Sequence, residues 1–326
     1  MDILIDQWGR TIDYLRISVT DRCNLRCKYC MPDKSISFMQ KKDLLTKDEI
    51  CRIAKLTSDI GIKKVRITGG EPLIRKDTTD IIKDIKSLKN IKEVCLTTNG
   101  IFLNSYLDKL IDSGIDAINI SLDTLKEDKY SDITGGGDIM PVLNSINKCI
   151  EKGIKVKLNA VIIKDFNDKE ILDFIKFAEE KNIEIRFIEM MPLGAGKKFI
   201  TITVDEIKKL IQENTKLIPY KSSPKNNGPA VYYKTEDGKG VIGFISPISH
   251  TFCGNCNRIR LTADGFLKQC LHFKKGEDLK RLMRQGITDE ELTNVIKECC
   301  YSKPEQHAFQ SENKDSEKRF MYQIGG

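Results

Sequence analysis

The sequence predicts an α/β fold: an open doubly wound sheet or an incomplete barrel of six strands, followed by a smaller α+β region. Three observations point there. Between residues 13 and 190, short β-rich runs alternate with amphipathic stretches, which means repeated parallel βα units. The strand candidates are polar on one face and apolar on the other. After Met191-Pro192-Leu193-Gly194 the alternation stops, so the expected division is 1–198 and 199–326.

The strands are expected at 13–19, 62–68, 92–98, 116–122, 154–163 and 183–190, with helices at 46–60, 78–89, 103–113, 138–152 and 168–182. Thr46-Lys47-Asp48-Glu49 reads as a capping box and Gly61 as its C-terminal stop. Ile81, Ile85, Leu107, Leu110, Phe174 and Phe177 fall at core spacing. Further on, Thr201 to Ile218 reads as a strand and a helix, and Lys221 to Pro229 as a loop. Tyr232 to Ser246 reads as a hairpin turning at Asp237-Gly238. Helices follow near 277–285 and 288–300, then a polar stretch, 302–318, expected to be mobile.

Strand parity says what the sheet encloses. Tyr14, Arg16 and Ser18 share one face against Leu15, Ile17 and Val19. Arg66 and Thr68, Asn119 and Ser121, Lys157 and Asn159, and Arg186 repeat the split, with Thr97 and Asn99 a weaker instance. Parallel strands are normally apolar on both faces, and a buried arginine without an anion is costly. The polar face is therefore expected to line a wet cavity for an anionic ligand.

Composition narrows the class. The chain has 326 residues, 40% hydrophobic and 31% charged, as a globular protein does. No apolar run approaches the roughly 18 residues that span a bilayer, and the start reads as no secretory signal. A cytoplasmic protein with no membrane partner is expected. Lys+Arg of 54 against Asp+Glu of 47 gives +7, which suits an anionic small ligand and argues little for nucleic acid. Eleven cysteines, an odd number, make a full disulfide framework unlikely on counting alone. Cys51, Cys95, Cys149, Cys299 and Cys300 are scattered and read mostly as small buried residues.

The other six fall into two groups. Cys23-x3-Cys27-x2-Cys30 sits in a loop just after the first strand, the end of a parallel sheet where sites are built. Three close thiolates suit an iron–sulfur cluster, and three rather than four leave one iron open; a zinc site would need a fourth ligand. Cys253-x2-Cys256-x13-Cys270 is again three. Here zinc with His272 or His250 remains the alternative to a second cluster. Asn257 to Leu261 is strand-like and puts Arg258 and Arg260 on one face, suited to bidentate phosphate recognition.

The first cysteine loop, with Thr68-Gly69-Gly70-Glu71-Pro72 after the second strand, resembles the cluster and "GGEP" motifs of the radical S-adenosylmethionine (SAM) superfamily. In this likeness glycine lets backbone approach the methionyl group of SAM, and Glu71 meets its ammonium. Asp21-Arg22-Cys23-Asn24 through Tyr29-Cys30-Met31-Pro32, Ile185-Arg186-Phe187-Ile188-Glu189, Phe252 to Leu261 with Asp264-Gly265, and the final Gly325-Gly326 resemble the branch that opens molybdenum cofactor biosynthesis from GTP. The resemblance implies an incomplete (βα)6 barrel closed by the smaller domain, and two [4Fe–4S] clusters on Cys23, Cys27, Cys30 and on Cys253, Cys256, Cys270. It implies reductive cleavage of SAM, abstraction of the ribose 3′ hydrogen of GTP, and attack of C3′ on guanine C8, with guanine on the second cluster. Tyr29, Gly70, Ser121 and Met191 would surround SAM. Arg16, Arg66, Thr97, Lys157, Arg186, Arg258 and Arg260 would hold GTP, with Lys64 a further contact, and Gly325-Gly326 would assist the radical step. An electron donor and a downstream cyclic pyranopterin monophosphate synthase are the implied partners. The competing expectations are a radical SAM enzyme that modifies peptides and a zinc-stabilised module that binds RNA or another acidic partner.

Overall fold

A computed structural model describes residues 3–32, 36–220, 228–236, 240–309 and 314–325. Its strands are β1 (Tyr14–Ser18), β2 (Lys64–Thr68), β3 (Glu93–Thr98), β4 (Ala117–Ser121), β5 (Val156–Ile162), β6 (Glu184–Glu189), β7 (Leu217–Pro219), β8 (Val231–Thr235), β9 (Val241–Ile245), β10 (Arg258–Leu261), β11 (Phe266–Lys268) and β12 (Gly276–Asp278). Its α-helices are α1 (Lys47–Asp59), α2 (Thr78–Lys86), α3 (Leu103–Asp112), α4 (Glu127–Thr134), α5 (Met140–Glu151), α6 (Ile171–Lys181), α7 (Val204–Gln212), α8 (Leu279–Arg284), α9 (Asp289–Tyr301) and α10 (Met321–Ile324).

The six expected βα strands are present and run parallel in sequence order, β1 to β6. The later strands extend that sheet from both sides. β9 adds parallel to β6, and β10 adds parallel to β1, giving the order β12-β11-β10-β1-β2-β3-β4-β5-β6-β9-β8-β7. The hairpin is β8 and β9, paired antiparallel; its turn at Asp237-Gly238 lies outside the described residues, as do 221–227 of the expected loop.

The apolar parity faces the helices. Leu15, Ile17, Val65, Ile67, Ile118, Ile120 and Leu158 are fully buried, against a helical layer that includes Ile81, Ile85, Leu107, Leu110 and Phe174; Phe177 packs there partly buried. Each such side chain contributes about 1.5–3 kcal/mol, so one face carries the stability and the other is free to be polar. Thr46 and Glu49 form the expected capping box at α1. Cys95, Cys149, Cys299 and Cys300 are buried and Cys51 is half-buried.

Two expectations change. The sequence reading has no counterpart to α4, a two-turn helix without a side-chain N-cap that ends on Gly135 at φ 73. The stretch expected to be mobile is, where described, tied down: Lys303 is 2% and Glu317 5% exposed. Glu317 ion-pairs with the buried Lys268 of β11 and with Arg319, and its backbone N–H donates to the carbonyl of His272, 2.6 Å.

Candidate active site

The polar face of the sheet opens on a cavity of about 1050 Å³. All six grouped cysteines line it, together with every arginine and lysine that parity assigned to that face. Tyr29, Gly70, Thr97, Ser121 and Met191 line it too.

The loop after β1 carries Cys23, Cys27 and Cys30, and the Gly-Gly turn after β2 braces it. Gly70 N donates to Thr20 O and Glu71 N to Arg22 O, both 2.7 Å. A Cβ on Gly70 would stand 2.4 Å from Arg22 O, so only glycine allows this approach. α4 braces the other side, where Arg26 N donates to Thr134 O, 2.8 Å. Burial, and then the mutual repulsion of their thiolates, push Cys30 up to about 12 and Cys27 well above its ordinary range; burial raises Cys23 to about 11. Such thiols ionise when a metal replaces the proton. Glu71, which the resemblance sets against the SAM ammonium, does not itself line the cavity. It is fully buried and accepts from Leu73 N, Thr98 Oγ1 and Asn99 N at 3.0, 2.8 and 2.8 Å. It ties the β2 and β3 ends together.

Tyr29 Oη donates to Asp123 Oδ2, 2.6 Å, and Asp123 Oδ1 accepts from Val161 N, 2.9 Å. Burial raises Asp123 to about 6. Sequence reading missed Asp123, although it extends the parity of Asn119 and Ser121.

The second group approaches from the β1 edge. Burial alone would raise Cys256, but Arg258 and Lys303 outweigh it and bring the thiol down to about 6. Of the two histidines considered as a fourth zinc ligand, His250 is exposed and paired with Asp205, whereas His272 lines the cavity. Among the described residues no three His, Cys, Asp or Glu close around one point as a single bound ion requires. The cluster reading rests on spacing, the shared cavity and the crowding of each thiol trio.

Register sets the cationic surface. Arg260, Arg16 and Arg66 stand side by side on β10, β1 and β2. Burial and then Arg260 lower Arg16 to about 9, and burial and then Arg258 lower Arg260 to about 10. Arg66 donates to Tyr14 Oη and Thr97 Oγ1. Arg186 Nε and Nη2, across the cavity, and Arg260 Nε, on the β10 side, are buried without a hydrogen-bond partner among the described residues. Lys157 pairs with Glu184 at 2.6 Å, and Lys64 with Glu93 at 2.8 Å. Burial lowers Lys157 to about 8 against the pull of Glu184.

The C-terminal segment enters the same space. Met321 and Tyr322 line the cavity, and the Tyr322 backbone hydrogen-bonds the Cys30 thiol. Gly325, at φ 70, lies where a Cβ would stand 2.8 Å from Thr68 Oγ1 and 3.0 Å from Ser18 Cβ. Gly325 is thus against the polar parity of β1 and β2 without lining the cavity; Gly326 is outside the described residues.

Comparison with known proteins gives the family. The Radical SAM superfamily model matches residues 17–178, and the Molybdenum Cofactor Synthesis C model matches 183–309. A GTP 3′,8-cyclase of Clostridium perfringens (strain 13 / Type A) is 53% identical over 321 residues, 98% of this chain and 99% of that protein. A GTP 3′,8-cyclase of Clostridium botulinum (strain Okra / Type B1) is 43% identical over 99% of this chain and 100% of its own. Streptococcus suis SuiB bound to S-adenosylmethionine superposes with a TM-score of 0.65 at 16% identity, covering 93% of this chain and 67% of that one, a likeness of fold alone. Similarity of this extent, on both halves of one continuous sheet, means that the chain belongs to the GTP 3′,8-cyclase family of the radical SAM superfamily.

Proposed function

We propose that this chain is a GTP 3′,8-cyclase, a radical SAM lyase that converts GTP to (8S)-3′,8-cyclo-7,8-dihydroguanosine 5′-triphosphate, the first step of molybdenum cofactor biosynthesis. The observation that carries the reading is that both cysteine trios and the arginine face open on one cavity. Among the described residues no feature of the site favours a peptide substrate.

The donor sets fit the implied groups: three half-buried, mutually crowded thiols in each trio, with no fourth protein ligand needed. Cys23, Cys27 and Cys30 would hold one [4Fe–4S] cluster, and Cys253, Cys256 and Cys270 a second. When bound, the first cluster and SAM would supply the radical chemistry that cyclisation of GTP needs. The chain's own residues hold and orient. Arg16, Arg66, Arg258 and Arg260 meet the triphosphate from the β10-β1-β2 side, and Lys157 and Arg186 from the other. Thr97 positions Arg66. Each charged hydrogen bond contributes about 1.5–3 kcal/mol, and fixing ribose and base together is a proximity effect. Tyr29, held by Asp123, shapes the SAM side with Gly70, Ser121 and Met191. Met321 and Tyr322 line the cavity and exclude water; Gly325 packs against Thr68 and Ser18, and the Gly325-Gly326 pair would assist the radical step. An electron donor supplies the reductant, and cyclic pyranopterin monophosphate synthase takes the product. Among the described residues no helix is long and apolar enough to cross a membrane.

The test is anaerobic reconstitution followed by SAM, dithionite and GTP, with Cys27→Ala as the blank. The expected result is 5′-deoxyadenosine and the cyclised nucleotide together in the native chain and neither in the variant. SAM cleavage prompted by a peptide but not by GTP would reject the reading.

A further inference from the structure

The N-terminal segment reaches the second cysteine group from the far end of the chain. Asp6 and Arg10 form a buried ion pair, Nε to Oδ2 at 2.6 Å, with side chains 0% and 7% exposed. Asp6 Oδ1 also accepts from the backbone N–H groups of Trp8 and Arg10, both 3.0 Å. The tight turn between them, with Gly9 at φ 76, fixes the direction of the guanidinium.

The rest of that guanidinium is aimed at carbonyls. Arg10 Nη1 donates to Cys253 O at 2.8 Å and to Glu305 O at 2.6 Å, and Nη2 donates to Pro304 O at 2.7 Å. Beside it, Trp8 Nε1 and Gln7 Nε2 donate to Lys303 O at 3.0 and 3.2 Å. Lys303 in turn is buried, and its Nζ donates to Gln269 O, 2.7 Å, one residue before Cys270. One side chain thus joins the Cys253 loop to the 303–305 segment, and that segment joins the Cys270 strand end. The guanidinium fork can meet several carbonyls at once in fixed directions, which a lysine ammonium cannot reproduce.

We propose that Arg10, aligned by Asp6, is a positioning residue for the second cluster: it fixes the Cys253 backbone so that Cys253, Cys256 and Cys270 present one geometry to the metal. This rests on reading those three cysteines as the ligands of a second [4Fe–4S] cluster. Arg10 does not itself line the cavity, so its hold on the Cys253 loop is separate from the arginine face that lines it.

The experiment compares reconstituted native chain, Arg10→Met, Arg10→Lys, Asp6→Asn and a Cys253→Ala/Cys256→Ala/Cys270→Ala variant by iron and sulfide content, Mössbauer spectra, and SAM cleavage without GTP. The native chain should carry about eight irons and the triple-cysteine variant about four. Arg10→Met should fall about twofold toward the triple variant, Arg10→Lys and Asp6→Asn should lie between, and SAM cleavage without GTP should stay within about twofold of native. A second-cluster signal in Arg10→Met equal to native overturns the positioning role. Equal loss of both clusters also overturns it, by marking Arg10 as a general support of the fold. A native chain with no more iron than the triple variant instead rejects the cluster reading on which the proposal rests.

Discussion

Arg260 has a like charge at its side and no buried partner for its Nε among the described residues. The adjacent Arg16 is held down to about 9 by burial and then by Arg260. Between that value and the ordinary arginine range the folded chain binds fewer protons than the unfolded one, so the penalty fades as pH rises through the window and is fully present at pH 7. Arg260→Ala should therefore weaken GTP binding by roughly tenfold to a hundredfold, the loss of a charged contact of about 1.5–3 kcal/mol. Ligand-free stability at pH 7 should be held or raised, because a repulsion is removed. Calorimetric titration with GTP and thermal unfolding of the same variant check this; unchanged affinity, or affinity and stability falling together, contradicts a phosphate role. The reason this residue could be read from sequence is parity: Arg16, Arg66, Lys157 and Arg186 alternate with aliphatics on strands whose other face must be buried. The same rule reaches Asp123, one step past Ser121, but it was hidden by lying beyond the strand's end. Glu71 was legible as a site residue, but not its tie to the β3 end, because the three backbone and hydroxyl donors to its oxygens come together only in the fold.

At the scale of elements, the tail depends on one buried pair. Lys268 on β11 ties Glu317, and Arg319 adds to it. Burial alone would raise the Glu317 carboxyl, but these cations outweigh it and hold it down to about 2; burial makes the Lys268 ammonium itself costly, so the pair gives less than the carboxylate side alone implies. The stabilising part is present above the ordinary carboxyl value of 4.5 and is lost as pH falls toward 2. Removing one partner strands a buried charge, so Glu317→Gln should cost about 3–5 kcal/mol, while Lys268→Met/Glu317→Met should recover most of it. Urea unfolding gives the cycle, and hydrogen exchange over residues 314–325 should quicken in the single variant. Additive single effects would show that the two residues do not act as a latch. A stretch of mixed polar residues looked mobile because its partner lies 49 positions away. Helix α4 was missed for the opposite reason: it is short, lacks a side-chain cap and draws its support from the cysteine loop rather than from its own pattern.

At the scale of the molecule, the two sequence regions share one sheet. β10 covers the free edge of β1, and β9 covers that of β6. Periodicity could reveal six βα strands, each paired with a near neighbour in sequence, but not these two additions, which join residues more than 50 and 240 positions apart. The consequence is that residues 1–198 alone would present two open parallel edges and an unshielded arginine face. Unpaired edges template association, and the charged face loses the wall that carries Arg258 and Arg260. The full chain should therefore unfold in one cooperative transition, and the 1–198 fragment should aggregate or expand rather than fold as a compact unit. Scanning calorimetry of the full chain and light scattering of the fragment decide it. A soluble, compact 1–198 fragment with its own cooperative transition would mean that the later strands are additions to a finished barrel, and that the second cysteine group is carried by a separable module.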